Sequence, residues 1–346
     1  GTAQAVIVQN INNIQIEGFK IIGGNTTGNS YGIFAENVEN LSALENTFET
    51  PGSLGSRCRD IEAMNSRTIL IAANKFSTSG NCDDYIGINI DSSDNINLAT
   101  SNAQGNEFSF VNVSSENIIK AIQLSQSNGA YVEFQQIGLD RTQLPSASAG
   151  TAIVVGDATN ASITSNEIAL VGGTESTAIS FNCGTSALTT DITANNIEVL
   201  EATSKQTGVL IECSQNNGNF TIEQNRIKMM PVSNSPTTMN GIEIKGQGNS
   251  LNLGLTNNVV ILNRITTHDT ATKTAIVLSD LGTTSLVDLI HNTILVTGIS
   301  GELHTLSSNR PDVQFSSLNN IFFMYGSNSK NAFFALPSQC ETGAQP

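Results

Sequence analysis

Ala178-Ile179-Ser180-Phe181, Ile192-x-x-Asn195-x-Ile197, Gly208-Val209-Leu210-Ile211 and Ile222-x-x-Asn225-x-Ile227 follow one another along the chain, and together they decide the fold. The first and third are one motif, a small residue followed by two apolar residues spaced by two. The second and fourth are another, an apolar residue three before an asparagine and a second apolar residue two after it. Each motif is too short for a helix, and each alternates with period two, as a strand with one buried face does. No long segment of helical period separates them, so strand–helix–strand units are excluded.

Both motifs recur outward in each direction. The small-residue motif appears at Ala5-Val6, Gly32-Ile33, Gly87-Ile88, Ala121-Ile122, Ala152-Ile153, Gly241-Ile242 and Ala275-Ile276, with Leu303 expected to close the series. Successive copies lie about 26 to 34 residues apart, the period of one supersecondary unit in a solenoid. The asparagine motif recurs at Asn74, Asn166 and Asn292; Asn46, Asn106, Asn257 and Asn319 are read in the same place, with Glu17 and Gln135 substituting in two repeats. The expectation is an all-β chain, a single-stranded right-handed parallel β-helix of about eleven coils. Each coil holds two or three strands, and coils stacked at ~4.8 Å make a rod of roughly 50 Å. The recurrent asparagine is assigned to a left-handed bend, its amides stacking from coil to coil as an Asn ladder. The β-helix is expected over 1–326, and 327–346 is expected to leave the repeat as a cap or tail, with Phe333-Phe334 covering the open end.

The paired motif and the ladder resemble the pectin-lyase-like β-helix superfamily, over about residues 5 to 325 and in fold pattern only. That superfamily includes pectate lyases, polygalacturonases, phage tailspikes and surface adhesins, so the resemblance leaves function open.

Composition narrows the choice. The formal net charge is −15, from 15 Lys plus Arg against 30 Asp plus Glu, with no basic stripe. Such a surface repels phosphate backbones and anionic membranes, and nucleic acid is not an expected partner. No apolar run approaches the ~20 residues of a membrane helix, so no membrane insertion is expected. Residues 5–8 already read as strand, which predicts that the chain begins inside a longer exported polypeptide, extracellular or at a cell surface. Five cysteines allow two disulfides and a leftover thiol. Cys183 and Cys213 share one offset in adjacent coils, fitting either a disulfide or stacked buried thiols; Cys58 and Cys82 sit where they can bridge neighbouring turns.

The candidate site is the one place where the repeat is broken. The small position is Gly or Ala in nine of ten coils from Ala5 to Ala275, and Asp60 is the exception. Arg57, Arg59 and Glu62 surround it, and the next coil supplies Asp83, Asp84, Tyr85 and Asp91. Paired carboxylates perform acid/base work in glycoside hydrolysis, or bind calcium through oxygen. Asp60, Asp83, Asp84 and Arg59 are therefore the catalytic candidates, and Arg57, Glu62, Tyr85 and Asp91 the binding candidates. No cofactor is required, and calcium at Asp60, Asp83 and Asp84 is the one metal this set would take. Asp83-Asp84 also resembles a polygalacturonase segment, which would make both residues catalytic. The Asn-Thr-Asp segment of that family is here Arg59-Asp60-Ile61, its Gly-His-Gly is missing, and Arg226-Ile227-Lys228 lies about five coils away. A lyase reading would use Arg57, Arg59 or Arg67 as the base.

The absence of Trp and the presence of only four Tyr deny the chain the aromatic platforms usual in sugar-binding grooves. Phe48, Phe76 and Phe108, each two after a ladder position, read as core. Insertions near 98–118, 139–151 and 264–274 are expected to project as binding loops. These features favour a non-catalytic module, adhesin-like or tailspike-like, whose partner is a glycan or surface receptor and whose assembly is expected to be a homotrimer. A polysaccharide lyase or hydrolase is the alternative.

Overall fold

A computed structural model describes residues 3–335, apart from 24–27, 51–54, 79–81, 100, 102–103, 112–117, 142–148, 158, 184–187, 215–217, 232–236, 264–270, 299–300, 311–312 and 327–330. The elements among the described residues are all strands, joined by turns and bends. Every third strand pairs with its successor, giving three parallel sheets of twelve, eleven and eleven strands. The molecule is thus a parallel β-helix with three strands per coil. About eleven coils were expected; the stretch carrying the polar ladder, from Asn46 to Asn320, makes nine turns, and the sheets extend beyond it at both ends.

The period-two pattern explains the core. Ile33, Ile61, Ile88, Ile122, Ile153, Ile179, Val209, Ile242 and Ile276 stand in register through the first sheet, and all are fully buried. Each such side chain contributes roughly 1.5–3 kcal/mol by leaving water. The small position before this column follows from crowding by the next coil. A Cβ on Gly241 would lie 2.5 Å from the Ala275 carbonyl oxygen, and one on Gly32 would lie 2.5 Å from that of Asp60. The column continues through Leu306, opposite Ile276, and not through Leu303, which pairs with Lys273; Phe334 follows Leu306 in register. Phe48, Phe76 and Phe108 stack face to face inside the coil, with centroids 4.9 and 4.5 Å apart.

The ladder turns the corner between the second and third sheets. Asn195 Nδ2 donates to Asn225 Oδ1 of the next coil at 2.9 Å and to the Ile163 carbonyl at 2.9 Å, and its Oδ1 accepts from Asn166. Three sequence assignments shift. The rungs are Asn258 and Asn320, not Asn257 and Asn319, and the first coil puts Phe19, not Glu17, opposite Asn46. The left-handed residue is also not the rung itself. It is the residue before it: Glu45, Ala73, Phe134, Ser165, Ala194, Gln224, Asn257, His291 and Asn319 have φ of 54–57°. Asparagine is therefore selected at the rung for its amide, which donates and accepts at once, and not for backbone tolerance.

The C-terminal segment Asn331–Ala335 does not leave the repeat but adds a twelfth strand to the first sheet, with Phe334 opposite Leu306. Residues 336–346, expected as the rest of the tail, lie outside the described residues, as does Cys340. The expected insertions are shorter than their ranges. Glu107–Val111, Gln136–Arg141, Ala149–Gly156 and Thr272–Ser279 are all ladder strands, and 112–117, 142–148 and 264–270 lie outside the described residues.

Candidate functional site

Four neighbouring strands of the first sheet, Ser30–Glu36, Gly55–Met64, Cys82–Asp91 and Ile118–Ser125, turn alternate side chains outward. In register, Tyr31, Arg59, Ile86 and Lys120 form one outward row, and Glu62, Asn89 and Gln123 form the next. Together with Arg57 and Asp84 they line a recess of about 290 Å³.

Arg59 organises the floor. Its Nη1 donates to the carbonyls of Cys58 and Asp84, both at 2.9 Å, and its Nη2 donates to Asp84 Oδ2 at 2.6 Å. Its Nε stands 3.8 Å from Glu62 Oε2. Glu62 Oε1 accepts from Asn89 Nδ2 at 3.0 Å, and Lys120 Nζ donates to Gln123 Oε1 at 2.6 Å. Arg59 is only 8% exposed, so the Asp84 pair is stronger than a solvated surface pair of similar length. Burial, reinforced by Asp91, raises the Glu62 carboxyl above its ordinary range, while Asn89, Arg59 and Arg57 oppose the shift. Burial also lowers Lys120; Arg59 adds to this and Asp84 opposes it.

Asp60 does not belong to this recess. Although adjacent to Arg59, its carboxyl points inward and is 3% exposed. It accepts from Thr50 Oγ1 at 2.7 Å and from the Tyr85 hydroxyl. Burial pushes Asp60 up to about 7 against those two hydrogen bonds. Burial, and then the Asp60 charge, push Tyr85 well above the usual phenol range. The reason is geometric: Asp60 occupies the small position, whose Cβ faces the coil interior.

The expected constellation therefore divides. Arg57, Arg59, Glu62 and Asp84 come together on the outer face. Asp60 and Tyr85 pair inside, so Tyr85 is fully buried and presents nothing to a ligand. Asp83 is exposed and outside the recess lining, and Asp91 is half-buried at the far end of its strand. The three carboxylates expected to share calcium do not converge. Among the described residues no group of three or more His, Cys, Asp or Glu is placed to hold a metal ion. Arg67 sits on the second sheet, 3.9 Å from Asp94, away from the recess. Both cysteine pairs are disulfides, Cys58–Cys82 and Cys183–Cys213, each joining adjacent coils. The first lies immediately beneath Arg59.

Sequence reasoning missed Asn89, Lys120 and Gln123. Their offsets carried the signal, because Lys120 stands before Ala121 as Arg59 stands before Asp60, and Asn89 and Gln123 follow the small position as Glu62 does. It also missed a second ionic network five coils along the same face. There Glu243 accepts from Lys205 at 2.8 Å and Asn240 at 2.9 Å, and Lys245 lies 2.6 Å from Glu212 and 3.4 Å from Glu243. No family model and no curated protein matches the chain.

Proposed function

We propose that this chain is a non-catalytic binding module, adhesin-like or tailspike-like, that holds a glycan against the outer face of its first sheet. One observation carries the reading. The carboxylates of the recess are committed to neighbours, Asp84 to Arg59 and Glu62 to Asn89, while Asp60 is withdrawn into the core. Polar groups held by one another on a rigid sheet suit recognition, because little order is lost when a ligand arrives. Two buried disulfides support placement in an oxidising compartment, outside the cytosol or on a cell surface.

A polysaccharide lyase or hydrolase is the second reading, favoured by one feature. Glu62 and Lys120, in the same recess, are shifted in opposite directions, up for the acid and down for the amine, as acid/base sites require. Glycan-array binding with and without calcium, run beside an assay for new reducing or unsaturated sugar ends, separates the two. Binding without cleavage is expected. Cleavage abolished by Glu62→Gln would replace the module with an enzyme.

A further inference from the structure

Hydrogen-bond inventory defines what the recess lacks. Arg59 Nη1 donates to two carbonyls and Nη2 to the Asp84 carboxylate, Asn89 donates to Glu62, and Lys120 donates to Gln123. Two buried acceptors remain without a partner, Asp84 Oδ1 and Asn89 Oδ1. Both residues line the recess, on one strand and on its outer face. Buried polar atoms are as a rule paired, and an orphan at a concave surface marks a place for a ligand group of complementary kind.

We propose that the recess takes an uncharged, hydroxyl-rich sugar, whose hydroxyls donate to Asp84 Oδ1 and Asn89 Oδ1, in preference to a uronate. This deepens the glycan-binding reading and rests on it. A uronate carboxylate has no donor to offer these two oxygens, whereas every sugar hydroxyl has one. A neutral hexose or pentose chain offers adjacent hydroxyls on a single edge, each able to donate to one acceptor and accept from rim donors such as Arg57. The strongly acidic chain as a whole reinforces the same preference at long range.

Isothermal titration calorimetry with the whole chain tests this, using cellohexaose, xylohexaose and maltohexaose against hexagalacturonate. At least one neutral hexasaccharide is expected to bind ten-fold or more tightly than hexagalacturonate, and Asn89→Leu is expected to weaken that binding at least ten-fold. Asn97→Leu, which removes another orphaned buried acceptor on the second sheet, is the control and leaves the affinity unchanged. Tighter binding of hexagalacturonate, or full affinity in a folded Asn89→Leu, overturns the inference while the glycan reading stands. Failure of every oligosaccharide to bind overturns both.

Discussion

Asp60 has its carboxyl in the core, with hydroxyls from Thr50 and Tyr85 as its hydrogen-bond donors and no ion-pair partner among the described residues. Its carboxyl is raised from 3.8 to about 7, so the folded state holds a proton that the unfolded chain releases. Between those values the folded state binds more protons, and stability must fall as pH rises from about 4 to about 7, then level off. The whole change is about 4 kcal/mol at this single site. Asp60→Asn keeps the shape and removes the titration, so its unfolding free energy should be flatter with pH across that interval and higher than the parent's at pH 8. Urea melts at pH 5 and pH 8 check this, and identical pH slopes in parent and variant would refute the buried-charge account. Residue type alone did not give Asp60 its direction. The sequence exposed the break in the small-residue series, but Arg59 and Asp60, one position apart, face opposite sides of the sheet, and a cluster read along the chain mixes the two faces. Strict period two separates Arg57 and Arg59 from Asp60 but places Glu62 on the face of Asp60, where the structure does not put it. The skipped pairing at the small position is what shifts the alternation and hides this from a linear reading.

At the scale of the element, the ladder shows most clearly what the pattern of letters can and cannot convey. The repeat of asparagines was legible because an amide side chain donates and accepts at once along a stack, and from Asn46 to Asn320 the only other residue at the rung is Gln135, which has the same group. Where two asparagines adjoin, as at Asn257-Asn258 and Asn319-Asn320, the letters cannot say which is the rung; backbone geometry decides, turning the first left-handed and the second inward. Asn195→Ala would leave three neighbours short. Asn166 Nδ2 loses its acceptor, Asn225 Oδ1 loses its side-chain donor, and the Ile163 carbonyl loses the bond that holds the corner. Stranding buried groups costs more than the bonds themselves, and a loss of about 3 kcal/mol is expected. Asn195→Gln should recover part of it, since Gln135 at its rung still accepts from Asn106 through its amide oxygen and donates to Asn166 through its backbone N–H. Chemical denaturation of the two variants measures the difference, and an Ala variant within 0.5 kcal/mol of the parent (about the scatter of ordinary surface substitutions) would deny the ladder a structural role.

A parallel β-helix is quasi-one-dimensional: each coil touches only its neighbours, and stability is the sum of coil and interface contributions. A crosslink between adjacent coils therefore acts locally, and the two disulfides fall in different places, one under the recess and one four coils further on. Cys58–Cys82 joins the two strands that supply Arg59 and Asp84, and its half-cystines are buried. The closed loop spans 24 residues, for which loss of the crosslink costs about 3 kcal/mol by chain entropy. Concentrated in one interface, that loss should open the third and fourth coils before the rest of the rod. Paired Cys58→Ala and Cys82→Ala substitutions should accordingly raise amide exchange in residues 57–64 and 82–91 by about a hundred-fold, leave the strands within 238–262 and 272–297 protected, and weaken ligand binding at the recess. Paired Cys183→Ala and Cys213→Ala substitutions should loosen the seventh and eighth coils instead and leave the recess intact. Hydrogen–deuterium exchange read strand by strand distinguishes the two. Uniform loss of protection along the whole chain in either variant would mean that the molecule unfolds as one cooperative block, and the independence of the recess from the far coils would have to be abandoned.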